Sequence, residues 1–230
     1  ILALSKGMPV INQTMVPAFS KFQHDRNAAT YYFEKLFGVV SILFIPAIIG
    51  TACVANAFIL TIAGAEWEQS IIPLQIMSIG VIFRMTNNLY STVITAMGRS
   101  DLRLKSSVIQ VTFIFPLIIL NLYHGVIGLV IAWVVAEFMA MITNIEFSKR
   151  ILNSSFKSYT KMLSPALISS LFMAICVIAI LDILQGQHQA IILGLQILMG
   201  GFTYLFLLRI LYRKQLLIVK NAIFGEKKVK

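Results

Sequence analysis

The sequence predicts an all-α, polytopic membrane protein: a transmembrane helix bundle with about seven spans in this chain. Hydrophobic residues make up 58% of the 230 residues and charged residues 12%, whereas an ordinary soluble domain is about 45–50% apolar and about 25% charged. The apolar residues are gathered in runs of about 20 residues or more, the length that crosses a bilayer as a helix. These runs lack the alternation of apolar and polar residues that a transmembrane β-barrel needs. We therefore expect the chain to lie in a membrane.

Seven apolar runs separated by short polar breaks define the predicted spans. They cover approximately residues 1–22, 30–58, 69–98, 105–122, 125–149, 159–182 and 188–212. At about 1.5 Å per residue, each is long enough, or nearly so, to cross about 30 Å of hydrocarbon. The chain begins inside an apolar run and has no signal-peptide features, so we expect the C-terminal part of a longer protein. Residues 1–212 are predicted to form a transmembrane lobe and residues 213–230 a basic cytoplasmic tail.

The positions of the basic residues predict the orientation of the spans. The chain has 19 Lys and Arg residues and a net charge of +10, and all but Lys6 and Arg84 lie in or beside the breaks after the first, third, fifth and seventh spans. The other breaks hold no Lys or Arg, but contain Glu66, Glu68 and Asp182. Basic loops stay in the cytoplasm, which predicts a cytoplasmic C-terminus. Because topology explains the charge, no nucleic-acid partner is expected.

The third predicted span carries an arginine, Arg84, near its middle. A cation at that depth costs roughly 2.5 kcal/mol or more unless it faces water, a partner or an anion. Polar residues continue the same helical face at intervals of four, three and four residues: Arg84, Asn88, Ser91 and Thr95. In the first span, steps of seven, four and three residues likewise place Lys6, Gln13, Pro17 and Ser20 on one face. Two polar faces with one cation each predict a shared aqueous cavity.

Two roles for Arg84 follow from its chemistry. Its guanidinium presents a fork of donors that fits phosphate oxygens, and the ammonium of Lys6 would add a mobile point charge. Alternatively, Arg84 pairs with Glu137, the acid at comparable depth in the fifth span, and only locks helices together. Lys6 could likewise extend its ammonium to the membrane interface. An isolated carboxylate at the depth of Glu137 is expected to be protonated part of the time, which suits proton or cation coupling or a purely structural role.

No catalytic or metal-binding arrangement is recognisable in the sequence. His24, His124 and His188 are isolated, and Cys53 and Cys176 lie in apolar runs without the close Cys or His neighbours of a metal site. Paired carboxylates, a Ser/His/Asp set and a Gly-rich phosphate loop are missing as well. We therefore predict neither an enzyme nor a metal or cofactor site.

Four segments resemble the C-terminal half of Wzx-type flippases, the O-antigen and exopolysaccharide exporters of the multidrug/oligosaccharidyl-lipid/polysaccharide exporter superfamily. They are MVPAFSKFQHD (15–25), KLFGVVSILFIPAIIG (35–50), IIPLQIMSIG (71–80) and, most specifically, TAMGRSDLRLK (95–105). The readable resemblance covers roughly residues 1–150, and the last two spans resemble the family by hydropathy alone.

The resemblance implies a two-lobed helical bundle with a central cavity, in which this chain is most of the second lobe. It implies a multi-pass protein of the bacterial cytoplasmic (inner) membrane that moves an undecaprenyl-pyrophosphate-linked oligosaccharide to the outer leaflet by alternating access. Membrane lipids, a polysaccharide polymerase and export machinery are the further partners it implies. Arg84 and Lys6 are the cations that could meet the pyrophosphate or an acidic sugar. The cytoplasmic turn of Gly98, Arg99 and Asp101 is expected to fix helix ends and to gate against the other lobe.

Two other functions are compatible with the residues. Glu137 would suit a cation-coupled, multidrug-type exporter, in which a membrane carboxylate binds and releases a cation. A non-transporting scaffold or polymerase subunit would use the same helices without alternating access. The short loops predicted to face outward are too small to fold a receptor or enzyme domain.

Overall fold

The computed structural model describes residues 13, 15–153, 156–183 and 188–211. All regular structure in these residues is helical, which confirms the predicted all-α fold. The helices are α1 (residues 15–20), α2 (Arg26–Ile62), α3 (Ile71–Ala96), α4 (Ser100–Asn121), α5 (Gly125–Ser148), α6 (Phe156–Ile183) and α7 (Gln189–Leu211), with short 3₁₀ helices at Ala65–Ser70 and Leu122–His124. Lys6 and the predicted basic tail, 213–230, lie outside the described residues.

Two helices, α2 and α4, begin at least four residues before their predicted N-terminal bounds. α2 is 37 residues long and begins before predicted residue 30, because the Asp25 carboxylate accepts hydrogen bonds from the backbone N–H groups of Asn27 and Ala28, each at 3.0 Å. Such a cap satisfies donors that the first helical turn leaves open. α4 begins at Ser100 rather than 105, with Asp101 in its first turn, where a negative charge favours the helix.

Four helical stretches are long and apolar enough to cross a membrane by length and composition. They are Arg26–Ile62, Ser100–Ser148, Lys157–Ile180 and Gln189–Ile210, the second of which joins α4 and α5. α3 is not among them, since its polar residues lower its hydropathy. The helical membrane-protein character is therefore confirmed, and the number of seven spans stays a prediction.

Apolar side chains cover the outward surface of the helices. On α4 the buried residues are Leu102 and Ser106, while the following large apolar residues are exposed: Leu104, Val108, Val111, Phe113, Phe115, Ile119, Leu120. Water would make such a surface unfavourable at roughly 25 cal/mol per Å². Lipid chains would cover it without that cost, as a multi-pass membrane protein requires.

The chain divides into two compact units, and the first contains the described parts of Ile1–Phe33 together with Gln69–Ser158. Its centre is the packing of α3, α4 and α5. A methyl group on Gly80 would meet the Trp133 ring, and the rings of Phe83 and Phe138 lie 5.2 Å apart. These contacts advance in the same direction along both helices, so α3 and α5 run parallel. α4, which connects them, runs antiparallel to both.

A glycine turn ends α3 and starts α4. Gly98 has φ +75°, a left-handed conformation that favours glycine. The backbone N–H of Arg99 donates to the Ile94 carbonyl at 3.0 Å, and the Gln23 side chain donates to the Ala96 carbonyl at 3.0 Å. These bonds satisfy carbonyl groups at the end of α3 and hold it beside the segment that follows α1.

The second unit contains the described parts of Glu34–Glu68 and Tyr159–Lys230. Its helices are most of α2 together with α6 and α7. The buried Tyr204 hydroxyl on α7 donates to the Ile42 carbonyl on α2 at 2.7 Å, and the rings of Phe37 and Tyr159 meet edge to face at 5.5 Å. A tyrosine hydroxyl in an apolar interior needs such a partner.

Candidate functional site

A polar cavity lies among α3, α4 and α5 in the first unit. Its volume is about 310 Å³, and all ten lining residues are polar or charged. They are Arg84, Asn87, Asn88 and Ser91 on α3, Arg103, Ser106, Ser107 and Gln110 on α4, and Glu137 and Asn144 on α5. A polar cavity inside helices this apolar can hold water or a polar ligand, because amides, hydroxyls and guanidinium groups can replace lost hydration.

Arg84 and Glu137 form an ion pair across the cavity. The Arg84 Nη1 atom lies 3.3 Å from the Glu137 Oε1 atom, and the side chains are 62% and 4% exposed, respectively. The Arg84 guanidinium also lies 6.0 Å from the centre of the Trp133 ring, within the range of a cation–π contact. The pair is asymmetric: the carboxylate is fixed in the interior, whereas the guanidinium reaches it from the open side.

An amide chain holds the carboxylate from its other oxygen. The Asn87 amide donates to the Glu137 Oε2 atom at 3.2 Å, and the Asn144 amide donates to the Asn87 carbonyl oxygen. Glu137 and Asn144 are 3% and 2% exposed, so a lost partner would not be replaced easily by water. The network ends at Asn144, whose buried Oδ1 atom has no hydrogen-bond partner among the described residues.

α4 contributes a polar face opposite this network. Its lining residues lie at intervals of three, one and three residues, a spacing that keeps them on one side of a helix. Ser106 is buried, whereas Arg103 and Ser107 are exposed. Arg103 binds neither Asp101 nor Glu137. Asp101 accepts two hydrogen bonds from Arg99, each at 3.0 Å, and Glu137 accepts hydrogen bonds from Arg84 and Asn87 of α3.

The structure brings together some of the residues that the sequence singled out. Arg84, Asn88, Ser91 and Glu137 all line the cavity. Thr95 continues the face of α3 but lies beyond the cavity, where its hydroxyl donates to the Ser91 carbonyl at 2.9 Å. The remaining two residues of the predicted set are not placed there: Gln13 is exposed and outside the lining, and Lys6 is outside the described residues.

Several lining residues were missed as site residues. Asn87 lies three residues after Arg84, and helical spacing would have placed it on the same face. Arg103 was assigned to topology, because counting charges in loops does not distinguish a cavity-facing arginine from an interfacial one. By helical spacing, Asn144 shares a face with Glu137 and Gln110 shares one with Asn121, but only the packing of α4 and α5 places Gln110 and Asn144 in the same cavity.

The predicted turn residues lie at the end of α3 and the start of α4. Arg99 binds Asp101 through two parallel hydrogen bonds, and Gly98 supplies the left-handed backbone. This geometry fixes the two helix ends; gating by the turn stays a prediction. Within the described part of the chain, no group of three or more His, Cys, Asp or Glu residues could hold a metal ion.

The chain matches a known protein family and several known proteins. Residues 3–73 match the family described as "Polysaccharide biosynthesis protein". The chain is 27% identical over 181 residues to the lipopolysaccharide biosynthesis protein WzxC of Escherichia coli K12, covering 78% of this chain and 37% of that protein. It is 24% identical over 203 residues to a membrane protein in the cps region of Klebsiella pneumoniae, covering 87% of this chain and 42% of that protein. The chain thus spans about two fifths of the length of these relatives.

The fold is similar to a solved structure. The lipid II flippase MurJ, in an inward closed conformation, superposes with a TM-score of 0.69 at 19% sequence identity, over 88% of this chain and 43% of that one. At this identity the likeness shows the fold alone, an all-helical one. Together, the family match and the sequence relatives confirm the resemblance that the motifs indicated, a similarity of this chain to the Wzx-type polysaccharide flippases.

Proposed function

We propose that this chain is the C-terminal lobe of a flippase that moves an undecaprenyl-pyrophosphate-linked oligosaccharide from the cytoplasmic to the outer leaflet of the bacterial inner membrane. In this proposal residues 1–212 form the membrane lobe, residues 213–230 form a cytoplasmic tail, and the complete protein works by alternating access. It is a transporter rather than an enzyme. The relative named for lipopolysaccharide biosynthesis and the structural neighbour named for flipping lipid II support this class of substrate.

The observation that carries the proposal is the polar cavity with an exposed guanidinium. An anionic head group cannot cross hydrocarbon unaided, because its charge would lose hydration at a cost of many kcal/mol. A cavity of amides, hydroxyls and guanidinium groups replaces part of that hydration, while the lipid tail stays among the bilayer chains. The 310 Å³ cavity of this unit could accept a phosphate group or part of a sugar, and the other lobe would supply the rest of the site.

Arg84 would bind the anion by exchanging partners. In the structure it binds Glu137 through one contact of 3.3 Å from its exposed side, whereas guanidinium can bind a phosphate through two parallel hydrogen bonds. Asn87 keeps the carboxylate in place when the guanidinium leaves. Glu137 would then act as the resting partner of Arg84, and transfer of the guanidinium to the substrate would accompany substrate binding.

The alternative function is a cation-coupled drug exporter. The buried carboxylate of Glu137 would suit it, because such an exporter uses a membrane carboxylate to bind and release a cation. Its pairing with Arg84 and Asn87 argues against it, because a carboxylate already neutralised by a guanidinium attracts a second cation weakly. Loss of drug resistance in Glu137→Gln cells with intact glycan export would favour that alternative. A non-transporting scaffold or polymerase subunit would instead show identical cysteine labelling of the predicted first and third spans from both membrane sides under all conditions.

The test of the proposal is surface glycan export in cells that carry variants of the complete gene product. Arg84→Ala should abolish export at normal protein abundance, because the head group loses the guanidinium that would bind it at the depth of Glu137. The double variant Arg84→Gln/Glu137→Gln should also abolish export, although it leaves no unpaired buried charge. Arg209→Ala, which removes an exposed arginine at the end of α7, is the matched control and should export normally. Normal export by the double variant would reject the proposed role of the cavity.

A further inference from the structure

Arg103 is a second cation in the cavity, and it is free to bind a ligand. It lines the same cavity as Arg84, its side chain is exposed, and within the described part of the chain it forms no ion pair or side-chain hydrogen bond. The two nearby carboxylates have other partners: Arg99 holds Asp101, and Arg84 and Asn87 hold Glu137. The arrangement of these pairs leaves the Arg103 guanidinium unneutralised.

The two arginines lie at different depths in the cavity. Arg103 is three residues from the start of α4, about 4.5 Å along the axis, whereas Arg84 is twelve residues from the end of α3, about 18 Å along the axis. The glycine turn joins these two helix ends, so Arg103 lies near the turn end of the cavity and Arg84 lies deeper. Ser106, Ser107 and Gln110 continue the face of α4 from Arg103 inward, and each offers a hydrogen-bond donor to an oxygen-rich ligand.

We propose that Arg103 is a substrate-contacting, specificity-determining residue that binds an oxyanion at the turn end of the cavity before the anion reaches Arg84. The inference rests on the proposed flippase function, and it adds a residue that charge counting assigns to topology. The ligand chemistry is a phosphate or a carboxylate, supplied by the lipid pyrophosphate or by an acidic sugar. Arg84 must leave Glu137 before it can bind an anion, whereas Arg103 needs no such exchange. The anion would therefore bind first to the unpaired Arg103 and then to Arg84, which has to leave Glu137.

The reaction rates of a nearby cysteine with charged thiol reagents measure the electrostatic potential that Arg103 creates, independently of transport. Ser107→Cys, one helical turn beyond Arg103, is introduced into the complete gene product after its native cysteines have been replaced. The rate of reaction with an anionic methanethiosulfonate is divided by the rate with a cationic one. A unit charge about one turn away changes this ratio by about tenfold in a water-filled site, so Arg103→Gln should lower it by about that factor.

Lys105 provides the matched control. It is exposed and lies in the same turn of α4, but it does not line the cavity, since two residues correspond to about 200° around a helix. Lys105→Gln should change the reagent ratio by less than about twofold, given its greater distance and the screening by salt. Equal ratios in the Arg103→Gln and Lys105→Gln proteins would overturn the inference. Arg103→Lys should retain most of the ratio, which separates loss of charge from misfolding.

Two further measurements test whether Arg103 binds the substrate: protection of the introduced cysteine by added anions, and glycan export. Inorganic pyrophosphate and glucuronate are the two probes: protection of the position-107 cysteine by one of them, lost in Arg103→Gln, assigns the phosphate or the sugar as the source. Protection by neither contradicts an oxyanion site. Glycan export should fall in Arg103→Gln and recover partly in Arg103→Lys. Normal export in Arg103→Gln with lost export in Arg84→Gln/Glu137→Gln would reject the Arg103 role alone, whereas normal export in both would reject the flippase proposal.

Discussion

The ion pair between Arg84 and Glu137 is asymmetric at the scale of single residues. The carboxylate is 4% exposed and the guanidinium 62% exposed, so the two partners have different alternatives when the pair is broken. A freed guanidinium can be hydrated in the cavity. A freed carboxylate keeps only the Asn87 amide, and its burial leaves little access for water to replace the lost partner.

This asymmetry predicts unequal effects on stability. Arg84→Gln should lower the free energy of unfolding by about 1–3 kcal/mol, the usual cost of a buried polar group that loses its partner, whereas Glu137→Gln should lower it by less, because the guanidinium that it frees is exposed and can be hydrated. The double variant should recover most of the loss. Thermal unfolding of the purified protein in detergent measures these differences. A Glu137→Gln protein less stable than Arg84→Gln would contradict the asymmetry.

The sequence predicted the residues of the pair but not which role the geometry favours. Their depths could be estimated because hydropathy locates both residues near the middle of apolar runs. Their contact depends on α3 and α5 lying side by side, which periodicity within one helix does not encode. The role of Arg103 could not be predicted for the same reason. Its position beside a polar turn is typical of a basic residue that orients a span, and only the packing of α4 places it in the cavity.

At the scale of helices, the contact between α3 and α5 positions the cavity. Gly80 permits the close approach: a methyl group there would lie 2.5 Å from the Trp133 Cζ3 atom and 2.8 Å from the Val134 Cγ2 atom. Trp133 lies one turn before Glu137 on α5, and its ring also approaches the Arg84 guanidinium. The packing at Gly80 and the ion pair are therefore coupled through one side chain.

Gly80→Ala tests this contact. The added methyl group should push α3 and α5 apart and lower the free energy of unfolding by about 1–3 kcal/mol, the usual cost of overpacking. Gly194→Ala is the control, because a methyl group there meets nothing within 4 Å and should be neutral or stabilise helix α7 by about 0.5–1 kcal/mol. Thermal unfolding compares the two. Equal stability of both variants would show that α3 and α5 do not depend on a glycine at this point.

Helix positions were predictable to within a few residues for most spans, because apolar runs and polar breaks alternate clearly. The early start of α2 depends on the Asp25 cap, which a search for capping residues would have found. The early start of α4 reflects the continuation of the helix through the charged residues after Gly98. Hydropathy alone ends a span at such charges, although the helix itself extends beyond the apolar run.

At the scale of the whole molecule, the chain separates into two units, and the cavity belongs to the first. The sequence predicted a single lobe of packed spans, since hydropathy carries no signal for how helices group. Relatives more than twice as long as the matched region fit the proposal that a second lobe completes the substrate path. The cavity of this unit would then form one wall of that path.

The central claim is that Arg84 binds an anionic head group while it crosses this cavity. Translocation by the purified, complete protein in liposomes tests it most directly. The probe is a polyprenyl pyrophosphate-linked sugar with a fluorophore that a membrane-impermeant reductant bleaches in the outer leaflet. Wild-type protein and Arg209→Gln should expose the whole probe pool to bleaching. Arg84→Gln/Glu137→Gln, folded to the same extent, should leave the inner-leaflet share protected. Bleaching of the whole pool by that double variant at the wild-type rate would contradict the claim.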